Sequence, residues 1–226
     1  MRLLASLVIA GVAATAAQAT EIVLTFEGLQ DGEAVQNFYN GGTGSAGSSG
    51  TNYGINFADN GLTFIRHNAG GSGNFGDEPS PDTILTFGSG GAATMNVAAG
   101  FDAGFTFYYS APYAGGTVTV WDASGGAAGG GNELASLTLP TAPDGFTAGC
   151  ADNPGADFCP FVPFGVTFSG MAYSVDFGGT ASDIGFDNIT LGSETPVSGT
   201  PEPATFALFG GVALVAGGLK LRRLKA

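Results

Sequence analysis

Basic residues are scarce in this chain. Its 226 residues include 6 Lys and Arg against 19 Asp and Glu, a formal net charge of -13 at pH 7. Nucleic-acid binding needs a basic footprint that displaces phosphate counterions, so this composition excludes it. Histidine occurs once, as His67, and tryptophan once, as Trp121. A Ser-His-Asp or Cys-His arrangement would have to use His67, which ends an expected strand beside Arg66 at a surface position. No HExxH, P-loop or CxxC pattern is present. Charged residues make up 11% of the chain, against roughly a quarter in average soluble proteins. In place of charge there is glycine, 40 residues without a G-X-Y period, which excludes collagen. Eighteen Phe argue against a disordered chain.

The basic residues sit at the ends. Met1-Arg2 precedes an apolar run from Leu3 to Ala14 and an Ala17-Gln18-Ala19 pattern. This reads as a secretory signal over residues 1–19, cleaved between Ala19 and Thr20. An uncleaved anchor is the alternative, but the run is short of the ~20 residues of a span. At the other end, Pro201-Glu202-Pro203 precedes an apolar stretch from Phe206 to Leu219 and a tail carrying Lys220, Arg222, Arg223 and Lys225. Two prolines hold the motif extended, where a protease reaches it. The apolar stretch suits a short membrane helix with its basic end in the cytoplasm.

This three-part tail, residues 200–226, resembles the PEP-CTERM sorting signal of Gram-negative bacteria. The resemblance implies recognition by an exosortase, a membrane-embedded protease, after transient inner-membrane insertion through the helix. It also implies delivery to the cell surface or extracellular matrix. A plain single-span anchor is the other reading of the same residues.

Between the two ends, residues 20–199 show short alternating runs separated by Gly, Ser, Asn, Asp and Pro, with no sustained 3.6-residue period. Ile22, Leu24 and Phe26 alternate with Val23, Thr25 and Glu27, and similar alternation runs through Phe105, Phe107 and Tyr109, then Val118 and Val120, then Met171, Tyr173, Val175 and Phe177. Further runs cover 54–57, 62–67, 83–87, 94–98, 133–139, 162–168 and 183–191. About eleven strands predict an all-β fold, a single jelly-roll-like β-sandwich. Two segments, 40–52 and 124–132, read as Gly-rich loops that either line a ligand site or lie passively on the surface.

Cys150 and Cys159 are the only cysteines. In an exported chain the simplest state is a disulfide; free thiols are the alternative. Zinc is disfavoured, because only His67 adds a nitrogen ligand.

The last run, Gly185-Phe186-Asp187-Asn188-Ile189, changes its apolar parity midway, which requires a bulge near Asp187-Asn188. A carboxylate at such a bend needs a partner, and the middle of the chain offers one arginine. A hard cation with oxygen ligands is one solution. The opening Phe26-Glu27-Gly28 and closing Phe186-Asp187-Asn188-Ile189 resemble the ends of jelly-roll carbohydrate-binding modules. That resemblance implies that first and last strands lie together and that Glu27 and Asp187 hold a structural calcium. Two solvated strand-end carboxylates are the alternative.

No catalytic residue is assigned. Sugars are commonly held on exposed aromatic faces. Trp121 and Tyr108 sit on the sides of their strands opposite the core residues, and Tyr113 follows in a turn. These three are the candidate platforms, with a second buried layer as the competing role. The expectation is an exported, non-catalytic surface or matrix protein associated with extracellular polysaccharide. A carbohydrate-active enzyme using paired carboxylates, or a purely structural surface protein, are the alternatives.

Overall fold

The computed structural model describes residues 21–141 and 150–195. Ala19 and Thr20 of the expected cleavage site lie outside the described residues, as do Pro201, Glu202, Pro203, Lys220, Arg222, Arg223 and Lys225. The expected C-terminal helix lies there too. Among the described residues, no helix is long and apolar enough to cross a membrane.

The alternating runs form strands β1 (Ile22–Leu24), β2 (Ile55–Phe57), β3 (Gly61–Ile65), β4 (Thr83–Phe87), β5 (Ala92–Phe101), β6 (Gly104–Ser110), β7 (Gly116–Trp121), β8 (Glu133–Leu139), β9 (Val162–Thr167), β10 (Ala172–Gly178) and β11 (Gly185–Leu191). They assemble into two antiparallel sheets. The first has the order β3-β4-β11-β6-β9, with β1 also paired to β11; the second has the order β2-β5-β10-β7-β8. From β4 onward the chain crosses between sheets at every connection except β7 to β8.

The core lies between the sheets, filled by the inward residues of each alternation. Phe105, Phe107, Tyr109, Phe186 and Ile189 come from the first sheet, and Val118, Val120, Val175 and Phe177 from the second, all fully buried. Phe177 meets Phe186 at 5.0 Å between ring centroids and Phe107 at 6.3 Å, both edge-on. Each such ring contributes about 1.5–3 kcal/mol through burial, and the rings lock the sheets in register.

Both sheets are also partly covered on their outer faces. On the second sheet, the loop after β7 folds back across the strands. Gly125 N donates to Asn96 at 2.7 Å, Gly126 N to the Ser174 hydroxyl at 2.9 Å, and Ala127 N to Asp176 at 2.8 Å. Gly126 has φ +60, and a Cβ there would overlap the Asp176 carboxylate. The segment expected as a Gly-rich loop is therefore pinned flat on the sheet. The 40–52 segment is pinned as well: buried Glu33 accepts from Ala46 N at 2.9 Å and Ser48 N at 3.1 Å. Burial pushes the Glu33 carboxyl up, but these hydrogen bonds outweigh it and leave it below its ordinary value. On the first sheet, the β3–β4 connection and the segment around Cys150–Cys159 form a cap.

Candidate functional site

The site begins with a gap in the edge pairing of β11. Strand β4 pairs with β11 at Phe186↔Leu85, while β1 pairs with it from Ile189 to Leu191. Both run antiparallel to β11, so the end of β1 abuts the start of β4 along one edge. The gap falls opposite Asp187 and Asn188, where the β11–β6 register also shifts. The parity change in the sequence marks this bulge. Asn188 has φ 44 and Phe26, just past β1, has φ 64. A buried Phe in the left-handed region is a strained conformation held by its surroundings. These two kinks turn the next residue on one side, Glu27, and the preceding one on the other, Asp187, into the gap.

Ser80, from the β3–β4 connection, plugs the gap. Its N–H donates to Asp187 Oδ2 at 2.8 Å. Its hydroxyl lies 2.8 Å from Asp187 Oδ1, 3.3 Å from Glu27 Oε1, 3.2 Å from the Thr25 carbonyl and 3.4 Å from the Thr83 carbonyl. Glu27 Oε1 also accepts from Asp82 N at 3.0 Å and Thr83 N at 2.9 Å. Asp187 Oδ1 accepts from Asn188 N at 2.7 Å. One hydroxyl carries one proton, so four acceptors around Ser80 Oγ share a single donor.

Asp187 is fully buried. Burial pushes its carboxyl up to about 8, against the lowering effect of the hydrogen bonds from Ser80 and Asn188; the nearby Glu27 raises it further. Glu27 and Asp187 are thus brought together, with a fully buried member and an all-oxygen donor set: two carboxylates, a hydroxyl and two main-chain carbonyls. Oxygen donors of this kind are the ones a hard divalent cation takes.

Arg66 does not neutralise this pair. It lies in an adjacent cluster, 2.6 Å from Asp82 Oδ1 and 3.3 Å from Glu78 Oε1, and also paired with Asp152. The Glu78 side chain is fully buried against Arg66. Burial raises its pKa, against the pull of Arg66. Asp77 holds the other side of the cap, accepting from Ala151 N at 2.9 Å and Asp152 N at 3.1 Å. Sequence reasoning missed Ser80, Thr83, Glu78 and Asp77; Pro79-Ser80-Pro81 reads only as a turn.

Cys150 and Cys159 are joined in a disulfide, with 5.6 Å between Cα atoms. Asp77 lies within 4.8 Å of both sulfurs, but oxidised sulfur offers no thiolate to a metal. The bond closes the cap on the outer face of the first sheet, where Phe75, Ile84 and Phe161 form a second buried cluster with Phe64, Tyr108 and Phe158 packed on it.

The three expected aromatic platforms separate. Tyr113 is 52% exposed, stands edge-on to Phe158 at 5.7 Å, and donates its hydroxyl to Asp157 at 2.7 Å. Tyr108 is half-buried and packs on the second cluster. Trp121 is half-buried on the outer face of the second sheet, beside the folded-back loop, with its Nε1 buried and without a hydrogen bond among the described residues. Strand alternation placed both side chains on outer faces correctly; the loops that cover those faces account for the difference. His67 is exposed in a short 3-10 turn, as expected.

No family model matches the chain, and no curated protein matches it. Among solved structures, the K2 cleaved adhesin domain of Lys-gingipain is similar at TM-score 0.48 and 12% identity, covering 77% of this chain and 98% of that one. The K1 cleaved adhesin domain of Lys-gingipain from Porphyromonas gingivalis W83 gives 0.36 and 17%, over 62% and 98%. The K3 domain from the same organism gives 0.28 and 17%, over 78% and 93%.

Proposed function

We propose that this chain is an exported, non-catalytic surface or matrix protein whose single jelly-roll-like sandwich associates with extracellular polysaccharide. The observation that carries the extracellular reading is the Cys150–Cys159 bond, which staples the cap and is characteristic of oxidising compartments. The strand orders β4-β11-β6-β9 and β5-β10-β7-β8 support the jelly-roll assignment, since they wrap eight consecutive strands as two Greek keys. The exposed Tyr113 ring, fixed by Phe158 and Asp157, supports sugar contact. With many carboxylates and Arg66 as the one basic residue among the described residues, the domain suits a neutral glycan, or an acidic one bridged by a divalent ion.

In this reading Glu27 and Asp187 hold a structural calcium, with Ser80, Thr25 and Thr83 supplying further oxygens. The ion offsets the cost of burying Asp187 and ties β1, β4 and β11 together. The PEP-CTERM-like tail directs the chain to an exosortase-type protease at the inner membrane. The test of the sorting reading is fractionation of the native host expressing the chain with Pro201, Glu202 and Pro203 replaced by Ala. Retention in the membrane, with loss of the surface form, is the expected result. Unchanged surface delivery would overturn it.

A further inference from the structure

The cap on the first sheet does not close completely. Between it and the sheet lies an open cleft of about 170 Å³. Its walls are Phe64 and Ile84 on neighbouring strands, Phe75 and Phe158 from the cap, and Ile184 before β11. Its floor is Gly185, where a Cβ would press on Ile84 at 2.8 Å and Phe161 at 3.3 Å. Exposed Ser72, Asn74 and Ser182 stand at its rim. No ionisable side chain lines it. A second cleft of about 200 Å³ lies on the other side of the 72–74 segment, lined by His67, Asn153 and Pro154 among others.

The first cleft is held open in a fixed shape. Phe75 and Phe158 form a parallel bridge. Asn153 donates to the Phe75 carbonyl at 2.7 Å, and Asn74 donates to Asp157 at 2.8 Å. Asp157 also receives the Tyr113 hydroxyl, and the Tyr113 ring meets the Phe158 ring that walls the cleft. Cleft and exposed tyrosine are therefore one preorganised surface, stapled by the disulfide.

We infer that this cleft, walled by Phe64, Phe75 and Phe158 and rimmed by Ser72 and Asn74, is a binding subsite for a single neutral hexopyranose unit of a polysaccharide. This rests on the polysaccharide reading above and locates its site. The volume falls below the ~300 Å³ at which pockets hold drug-sized ligands, so it takes one ring rather than a folded oligomer. The partly exposed rings of Phe64 and Phe158 offer apolar surface to the C–H face of a sugar, and the exposed Ser72 and Asn74 at the rim suit its hydroxyls. The uncharged lining, inside a strongly acidic domain, selects against anionic sugars.

The test uses the full chain with its disulfide formed. Binding of cellohexaose and mannohexaose is measured by titration, with hexaguluronate as the anionic control and N-acetyl-leucine amide as an apolar probe. The comparison variants are Phe158→Ala, which removes a wall, and Ser72→Trp, which blocks the cleft from an exposed position. A neutral hexaose should bind the wild type, and both variants should weaken it at least about tenfold. Hexaose binding that survives Ser72→Trp unchanged would overturn the cleft assignment and leave the polysaccharide reading standing. Cleft occupancy by N-acetyl-leucine amide with no hexaose binding would overturn it in favour of a peptide side chain. If native-host polysaccharide fails to bind as well, the polysaccharide reading falls with it.

Discussion

Ser80 grips Asp187 twice across 107 residues, with its N–H on one carboxylate oxygen and its hydroxyl on the other, both at 2.8 Å. This contact joins the β3–β4 connection to the last strand at the point where β1 and β4 meet end to end. Ser80→Ala removes the hydroxyl and leaves Asp187 Oδ1 with the Asn188 N–H. We expect a loss of about 1–3 kcal/mol in denaturant unfolding, the cost of an under-bonded buried acceptor. An unchanged midpoint would show that Ser80 does not support the site.

The raised Asp187 pKa gives a pH signature. Its folded value of about 8 lies above the ordinary carboxyl value, so between roughly pH 4 and 8 the folded state holds the proton more tightly. Stability from this group is complete below the unfolded pKa and is lost as pH rises through about 8. In EDTA, the melting temperature of the wild type should fall between pH 5 and 8 relative to Asp187→Asn, whose curve should be flatter over that window. The groups held low, Asp31 and Glu33, act on the acidic side of it. Parallel curves for the two proteins would contradict the assignment.

Calcium should act in the same place. A ligand that binds only the folded state stabilises by about 2.7 kcal/mol at a hundred times its dissociation constant. Added calcium should raise the wild-type melting temperature and leave Glu27→Gln/Asp187→Asn unmoved. Equal responses in both proteins would place the ion elsewhere, and no response in the wild type would remove it.

The parity change at Asp187-Asn188 was readable because side chains alternate strictly along a strand, so a slip must appear as a bulge. Strands β4 and β8 match their expected bounds, β4 as a run buried along its whole length and β8 despite a register shift near its start. Strand β5 runs longer than its apolar core, from Ala92 to Phe101, because small residues at its ends still pair. The second half of the site was not readable. Ser80 and Thr83 owe their role to β1 and β4 abutting on β11, and no local pattern reports that. Trp121 and Tyr108 show the same limit, since alternation assigns a face but not what covers it.

The loop over the second sheet gives a sharp steric test. Gly126→Ala must place a methyl group where Asp176 sits, at φ +60. We expect a loss of about 1–3 kcal/mol and faster hydrogen exchange across 123–127. Wild-type stability would show that the loop is not pinned there.

Removing the disulfide tests the cap. Its loop has a sequence separation of 9, and the chain-entropy relation gives about 2–3 kcal/mol for so short a closure. Cys150→Ser/Cys159→Ser should lose that much stability and expose Phe75 and Phe158, read as increased binding of an apolar dye. A stable variant with no added dye binding would show that the cap holds without its staple.

The most direct test of the central claim is equilibrium binding of the full chain to polysaccharide from its native host, in calcium and then in EDTA. The account predicts saturable binding that weakens in EDTA, as the cation between Glu27 and Asp187 is withdrawn. Absence of binding in both conditions would contradict it.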